Sequence, residues 1–123
     1  MPELILVFVG GGIGSLLRFI AGKFFTILIP SFPIATLISN MSGAFVLGFA
    51  FAIYNSKNMS SNNYLFISTG ICGGFSTFSS FTLDNFQLLQ AGNYFAAIIN
   101  ICLNLSLSLI TLMAGIFIAK FFS

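Results

Sequence analysis

Histidine and tryptophan are absent from this 123-residue chain, and charge nearly so: four Lys/Arg and two Asp/Glu make up 5% of the residues. A soluble domain carries a charged surface of roughly 25%, so this scarcity excludes a fold that faces water. With 58% hydrophobic residues and a mean hydropathy of +1.08, lipid is the solvent for most of the surface. A net charge of +2 is too sparse for a nucleic-acid patch. The two cysteines have neither CxxC spacing nor a histidine beside them, so they carry no metal signature. Cys72 and Cys102 lie in apolar runs, where thiols usually stay reduced and buried. No nucleophile–base pair, metal triad or phosphate loop can be drawn, which argues against an enzyme. Met1-Pro2-Glu3 is no basic n-region, and the apolar character continues down the whole chain, so a secretory signal is not expected.

What the chain does have is long apolar runs. A helix through the hydrocarbon core needs about 20 largely apolar residues. Four such segments can be drawn within a single transmembrane domain over 1–123: 3–29, 33–54, 64–89 and 94–122. Pro30-Ser31-Phe32-Pro33 ends the first, a polar Asn/Ser-rich loop over 55–63 the second, and Gln90-Ala91-Gly92-Asn93 the third. The third segment is the weak one, with Gly73-Gly74 in mid-span and hydroxyls after it. Two half-helices joined by non-helical backbone near 73–76 are expected. Such a break is tolerated at membrane depth only where it is buried in protein or lines a cavity. The fold class is therefore all-α membrane protein, with four transmembrane helices and the third broken mid-membrane.

Lys/Arg bias between the two sides normally sets orientation. With four spans, one side holds Lys57 and Lys120 and the other Lys23, with Arg18 about a turn and a half inside the helix. Two readings of this two-against-two count stand. Either charges buried in tertiary contacts blur it, or the chain inserts both ways and assembles as an antiparallel dimer.

Polar groups within spans mark sites of function or of tight packing. Gly10 and Gly14 form a GxxxG pair, whose ordinary use is close helix approach. Arg18 either snorkels to an interface or caps the carbonyls of another helix. Thr36, Asn40 and Gly43 share one face of the second span, and Asn40 is either interhelical glue or a pore-facing donor. In the fourth span Asn100, Asn104, Ser108 and Thr111 align over nearly three turns, a stripe that favours a hydrated track. In the third, Phe75, Phe78 and Phe81 share a face, as do Ser76, Ser79 and Thr82. A Phe row is by default core, yet a ring's edge is positive, so Phe presented edge-on beside hydroxyls can attract a small anion. Asp84 is expected to cap or bond at a helix end rather than to carry protons.

Three motifs then occur in order: GGIGSLLRF (Gly11–Phe19), NMSG (Asn40–Gly43) and TGICGGFSTFSSF (Thr69–Phe81). Together they resemble the Fluc (CrcB-type) fluoride channels, over essentially the whole chain. The resemblance implies four helices per subunit and an antiparallel, dual-topology dimer, formed with a second copy of the chain or a paralogue. It implies two pores per dimer for passive efflux of fluoride across a bacterial-type inner membrane, and a central structural Na+ that is not transported. Carried over, the Na+ carbonyls belong to Gly73 and Ser76, the pore phenylalanines are Phe78 and Phe81, and the pore asparagine is Asn40. Ser79, Ser80 and Thr82 occupy the polar positions around the phenylalanines, Thr36 the hydroxyl one turn before Asn40, and Arg18 the vestibule. Ser76 and Ser80 stand where many members have Thr. In the fourth helix Asn100, Asn104 and Ser108 fill the register of a Tyr–Ser polar track.

Two other classes remain to be weighed against a channel. A small proton-coupled multidrug transporter calls for a carboxylate within a span and aromatic cation contacts, whereas Glu3 lies at the N-terminus and Trp is missing. A non-conducting membrane scaffold would use the glycines and asparagines for packing alone.

Overall fold

A computed structural model describes residues 2–122; Met1 and Ser123, the two ends of the expected domain, lie outside it. Along the chain run α1 (Pro2–Phe25), α2 (Ile34–Asn55), α3 (61–75), α4 (Phe78–Gln90) and α5 (Tyr94–Ala119). Among the described residues α1, α2 and α5 are long and apolar enough to cross a membrane. The 24 residues of α1 rise about 36 Å at about 1.5 Å each, against a hydrocarbon core of about 30 Å. α1 stops at Phe25 rather than at 29, because the approach to Pro30 unwinds into turns and a residue before proline is held out of the helical region.

The third segment is in two pieces, but the break lies later than the glycines suggested. Gly73 keeps helical backbone (φ −64°, ψ −35°), and the helix continues through Gly73–Phe75. The extended residues are Ser76 (φ −87°, ψ 154°) and Thr77 (φ −151°, ψ 131°). Gly74 serves close approach instead: a Cβ there would strike the Gly11 carbonyl and lie 3.0 Å from the Ser15 nitrogen. The break also separates Phe75 from Phe78 and Phe81, so the three do not share a face. Phe75 turns toward Gly43 on α2. Within α3, residues Phe66–Cys72 form a π-helix, a wider turn than the α-helix, at the place where Gly10 presses on Gly70.

Two glycine seams hold the bundle. α1 lies mainly along α3, and α2 mainly along α5. In the first seam a Cβ on Gly10 would sit 2.9 Å from the Gly70 Cα, and one on Gly14 would collide with the Ile71 carbonyl. In the second, Gly48 rests on the Leu112 carbonyl and Gly115 on that of Phe45. Lipid tails are as apolar as leucine, so helices in a bilayer gain little from burying it. They gain from backbones that approach closely enough for dispersion and weak hydrogen bonds. The GxxxG reading of Gly10 and Gly14 as a packing device matches this geometry.

Gly14→Val should therefore destabilise the protein by about 3 kcal/mol, the upper end of ordinary overpacking. Gly12→Ala should be neutral or stabilising by up to about 1 kcal/mol, because an added Cβ there meets nothing within 4 Å. Thermal unfolding of the two variants in detergent checks the contrast.

Candidate functional site

The site is built around the peptide group at the break. A continuing helix would give the Thr77 N–H to the Gly73 carbonyl. Here it is donated to Asn40 Oδ1 at 2.8 Å. Asn40 Nδ2 in turn donates to the Thr77 carbonyl at 3.3 Å and to Asn104 Oδ1 at 3.0 Å. One side chain thus satisfies both backbone groups of an extended residue, as a neighbouring strand would. Gly43, one turn on, leaves room for the break: a Cβ there would lie 2.6 Å from Ser76 Oγ. Ser76 folds its hydroxyl back onto the Cys72 carbonyl at 2.6 Å. Thr77 then caps α4 by accepting the Ser80 N–H at 3.2 Å, the usual use of a threonine before a helix.

From Asn40 the hydrogen bonds continue inward. Asn104 Nδ2 donates to Asn100 Oδ1 and to the Asn100 carbonyl, both at 2.9 Å. Asn100 Nδ2 donates to Asn85 Oδ1 at 2.8 Å. Asn100 has no exposed surface, and Asn104 and Asn85 are buried. The upper part of the α5 stripe is therefore a protein-bonded amide relay. Lower down, Thr111 bonds the Ser108 carbonyl at 3.1 Å. Of the two readings of Asn40, interhelical glue describes its bonds, since both Nδ2 protons are taken.

Arg18 reaches across from α1, and its Nε donates to the Gly74 carbonyl at 3.1 Å. Of its two readings, the cap on another helix's carbonyl is the one observed. Lys23, further along α1, lies 5.0 Å from the centre of the Phe19 ring.

Two clefts flank the break, and Thr77 lines both. The larger, about 730 Å³, brings together the polar side chains of Arg18, Thr36, Ser39, Thr77, Ser80 and Asp84 along with apolar ones such as Phe19, Ile27 and Leu83. The smaller, about 380 Å³, joins Asn40, Ser76, Phe78, Phe81, Asn104 and Ser108. The rings of Phe78 and Phe81 are tilted at 47° with centroids 5.5 Å apart. Phe81 is buried at 8% exposure, whereas Phe78 is 75% exposed in the single subunit.

Of the other expected residues, Ser79, Thr82 and Gly73 fall outside the two clefts. Ser79 and Thr82 are exposed. The Ser79 hydroxyl pairs with that of Thr77 at 3.1 Å, and Thr82 donates to the Phe78 carbonyl of its own helix at 2.9 Å. Gly73 is exposed and Ser76 half-buried, both at the end of α3. Asp84 does not cap a helix end: it sits inside α4, and its Oδ2 is buried without a hydrogen-bond partner. Sequence reasoning missed Asn85 and Ser39. Asn85 had a signal, because it continues the Phe78–Phe81 face at the next helical repeat.

A bundle of apolar helices, one of them broken at Ser76–Thr77 between two clefts that each carry polar side chains, defines a polytopic membrane protein of the channel and transporter class. A family model described as CrcB-like protein, Camphor Resistance (CrcB), matches residues 5–116. A fluoride-specific ion channel FluC from Azobacteroides pseudotrichonymphae is 39% identical over 99% of both chains. The FluC of Parabacteroides distasonis is 39% identical over 98% of this chain and 94% of its own. That of Pyrococcus furiosus is 34% identical over 98% of each. The chain belongs to the CrcB family. It is a multi-pass cell-membrane protein and not an enzyme.

Asn40→Ala removes the partners of the Thr77 peptide and one of Asn104, each buried group left unpaired costing about 1–3 kcal/mol. A loss near 3 kcal/mol in thermal unfolding is expected, whereas Ser108→Ala should change stability by less than about 1 kcal/mol.

Proposed function

We propose that the protein is a fluoride channel that lets the ion leave the cell passively. The observation that carries this reading is the break at Ser76–Thr77, with a polar cleft on one side and a phenylalanine-lined groove on the other. The names of the relatives supply the ion. Fluoride holds its water tightly, so a pore must replace that shell with donors and still release the ion. Conduction then calls for several moderate sites in series. Hydroxyls of Thr36 and Ser80 lie in the polar cleft, that of Ser108 in the groove, and Phe78 and Phe81 offer ring edges. Asn40 contributes by holding the lining in place. Chloride is larger and gains less from a narrow lining.

The working unit in this proposal is an antiparallel, dual-topology dimer of four-span subunits, with two pores. Support comes from the exposure of Phe78, a lining residue that a single subunit leaves uncovered, and from the balanced Lys/Arg count. The structural Na+ fits the residues at the break. Diversion of the Thr77 N–H to Asn40 leaves the Gly73 carbonyl without its helical donor, and α3 ends with its negative dipole pole there. Gly73 and Ser76 carbonyls would hold the ion, and what it supplies is positive charge on the pole of a broken helix. Neutral carbonyl oxygens suit a hard cation.

Purified protein in liposomes tests the reading. Fluoride efflux without proton coupling and without chloride flux is expected; an intact dimer that passes no fluoride would favour the scaffold. Phe78→Ile and Phe81→Ile should each lower fluoride flux at least about tenfold with the assembly retained, a loss of about 1.4 kcal/mol in barrier terms. Asn40→Asp should nearly abolish it, by adding negative charge beside the groove and removing the donor to the Thr77 carbonyl and to Asn104. Replacing Na+ with a large organic cation throughout should silence the channel if the carbonyl site matters.

A further inference from the structure

We propose that Asn85 is a positioning residue for the Phe78–Phe81 pair, acting through the buried asparagine relay; its effect on fluoride rests on the channel reading above. The four bonds of the relay run in one sense. Thr77 donates to Asn40, Asn40 to Asn104, Asn104 to Asn100, and Asn100 to Asn85. Both ends of this chain lie on α4: Thr77 is its cap, and Asn85 lies about two turns further along the same helix. The relay and the helix therefore close a ring.

That ring sets the rotation of α4 against α2 and α5. Phe78 and Phe81 stand between the two anchors, on the face that carries Asn85. One anchor without the other leaves α4 free to turn about its cap. Within the subunit little packing fixes Phe78, which is 75% exposed there. Nor can Asn100 do without its partner. It has no exposed surface, so an amide donor that loses Asn85 finds no water and must turn toward other protein groups. Its Oδ1 then moves off Asn104, whose own oxygen receives Asn40. Buried amide networks respond as a unit for this reason.

The chemistry of each end separates positioning from bulk packing. Asn85 enters the relay only as an acceptor, through Oδ1. Asp, ionised or protonated, keeps an acceptor oxygen at that place, whereas Ala keeps none.

The test is amide hydrogen exchange, followed by NMR, on the full chain in detergent micelles, with fluoride flux measured in liposomes alongside. In Asn85→Ala, exchange at Thr77 and in the first turn of α4 should accelerate at least about tenfold, while amides of the α1–α3 and α2–α5 seams stay within about twofold. Flux should fall at least about tenfold. Asn85→Asp should keep Thr77 exchange within about threefold of the parent. Asn85→Ser, whose hydroxyl is too short to meet Asn100, carries the same expectation as alanine if that variant does not assemble. Unchanged exchange at Thr77, equal acceleration in every helix, or an aspartate variant as fast as alanine would each overturn the proposal. Should the parent pass no fluoride at all, the channel reading fails, and the exchange pattern still judges Asn85.

Discussion

A peptide group inside hydrocarbon must find a hydrogen-bond partner, and an interrupted helix leaves several without one. The whole molecule depends on how one of them is satisfied. At Thr77 a single side chain, Asn40, accepts from the N–H and donates to the carbonyl. With that pair in place the chain can run extended through Ser76 and Thr77 and begin a new helix at Phe78. Both clefts, the pair of phenylalanines and the free end of α3 follow from this local arrangement.

The glycines make the clamp possible by bringing backbones together. α1 lies on α3 through Gly10, Gly14, Gly70 and Gly74, and α2 on α5 through Gly48 and Gly115. Because lipid offers no hydrophobic drive between helices, this close contact is the main source of adhesion. Asn40 on α2 can meet Asn104 on α5 only because that second seam is narrow. Arg18 can reach the Gly74 carbonyl because the first one is. An interruption in a tightly seamed bundle also presents opposite poles at one depth: carbonyls at the end of α3 and N–H groups at the start of α4.

The polar residues divide by chemistry. The amides, which carry two donors and an acceptor, are committed to one another from Asn40 to Asn85. The lining hydroxyls of Thr36, Ser80 and Ser108, with smaller and rotatable groups, sit on the cleft walls. A rigid frame of amides behind an adaptable lining suits a pathway whose occupant must be held and then released. Asp84, with one buried oxygen unpaired, stands in the same cleft as Arg18 and Lys23.

Much of this was legible in one dimension, because lipid imposes simple rules. Scarce charge and long apolar runs dictated a helical membrane protein, turn residues set most span ends, and glycines with hydroxyls in mid-span announced an interruption. The GxxxG spacing foretold a packing seam, and the three motifs pointed to the family. Spacing alone could not choose between a glycine that breaks a helix and one that lets another helix approach; Gly74 does the latter, and the break moved to Ser76–Thr77. Nor could it say whether Asn40, Asn100 and Asn104 face water or each other, since an amide's role depends on what stands within 3 Å of it. Phe75 shows the same limit: helical periodicity predicted a shared face with Phe78 and Phe81, and two extended residues between them cancelled it. Composition and period thus determined the solvent, the class of element and the place of the weak segment, all of which depend on neighbours along the chain. Which polar group meets which, and so what lines the clefts, was decided only by the tertiary fold, because hydrogen bonds act over a few ångströms between residues far apart in sequence.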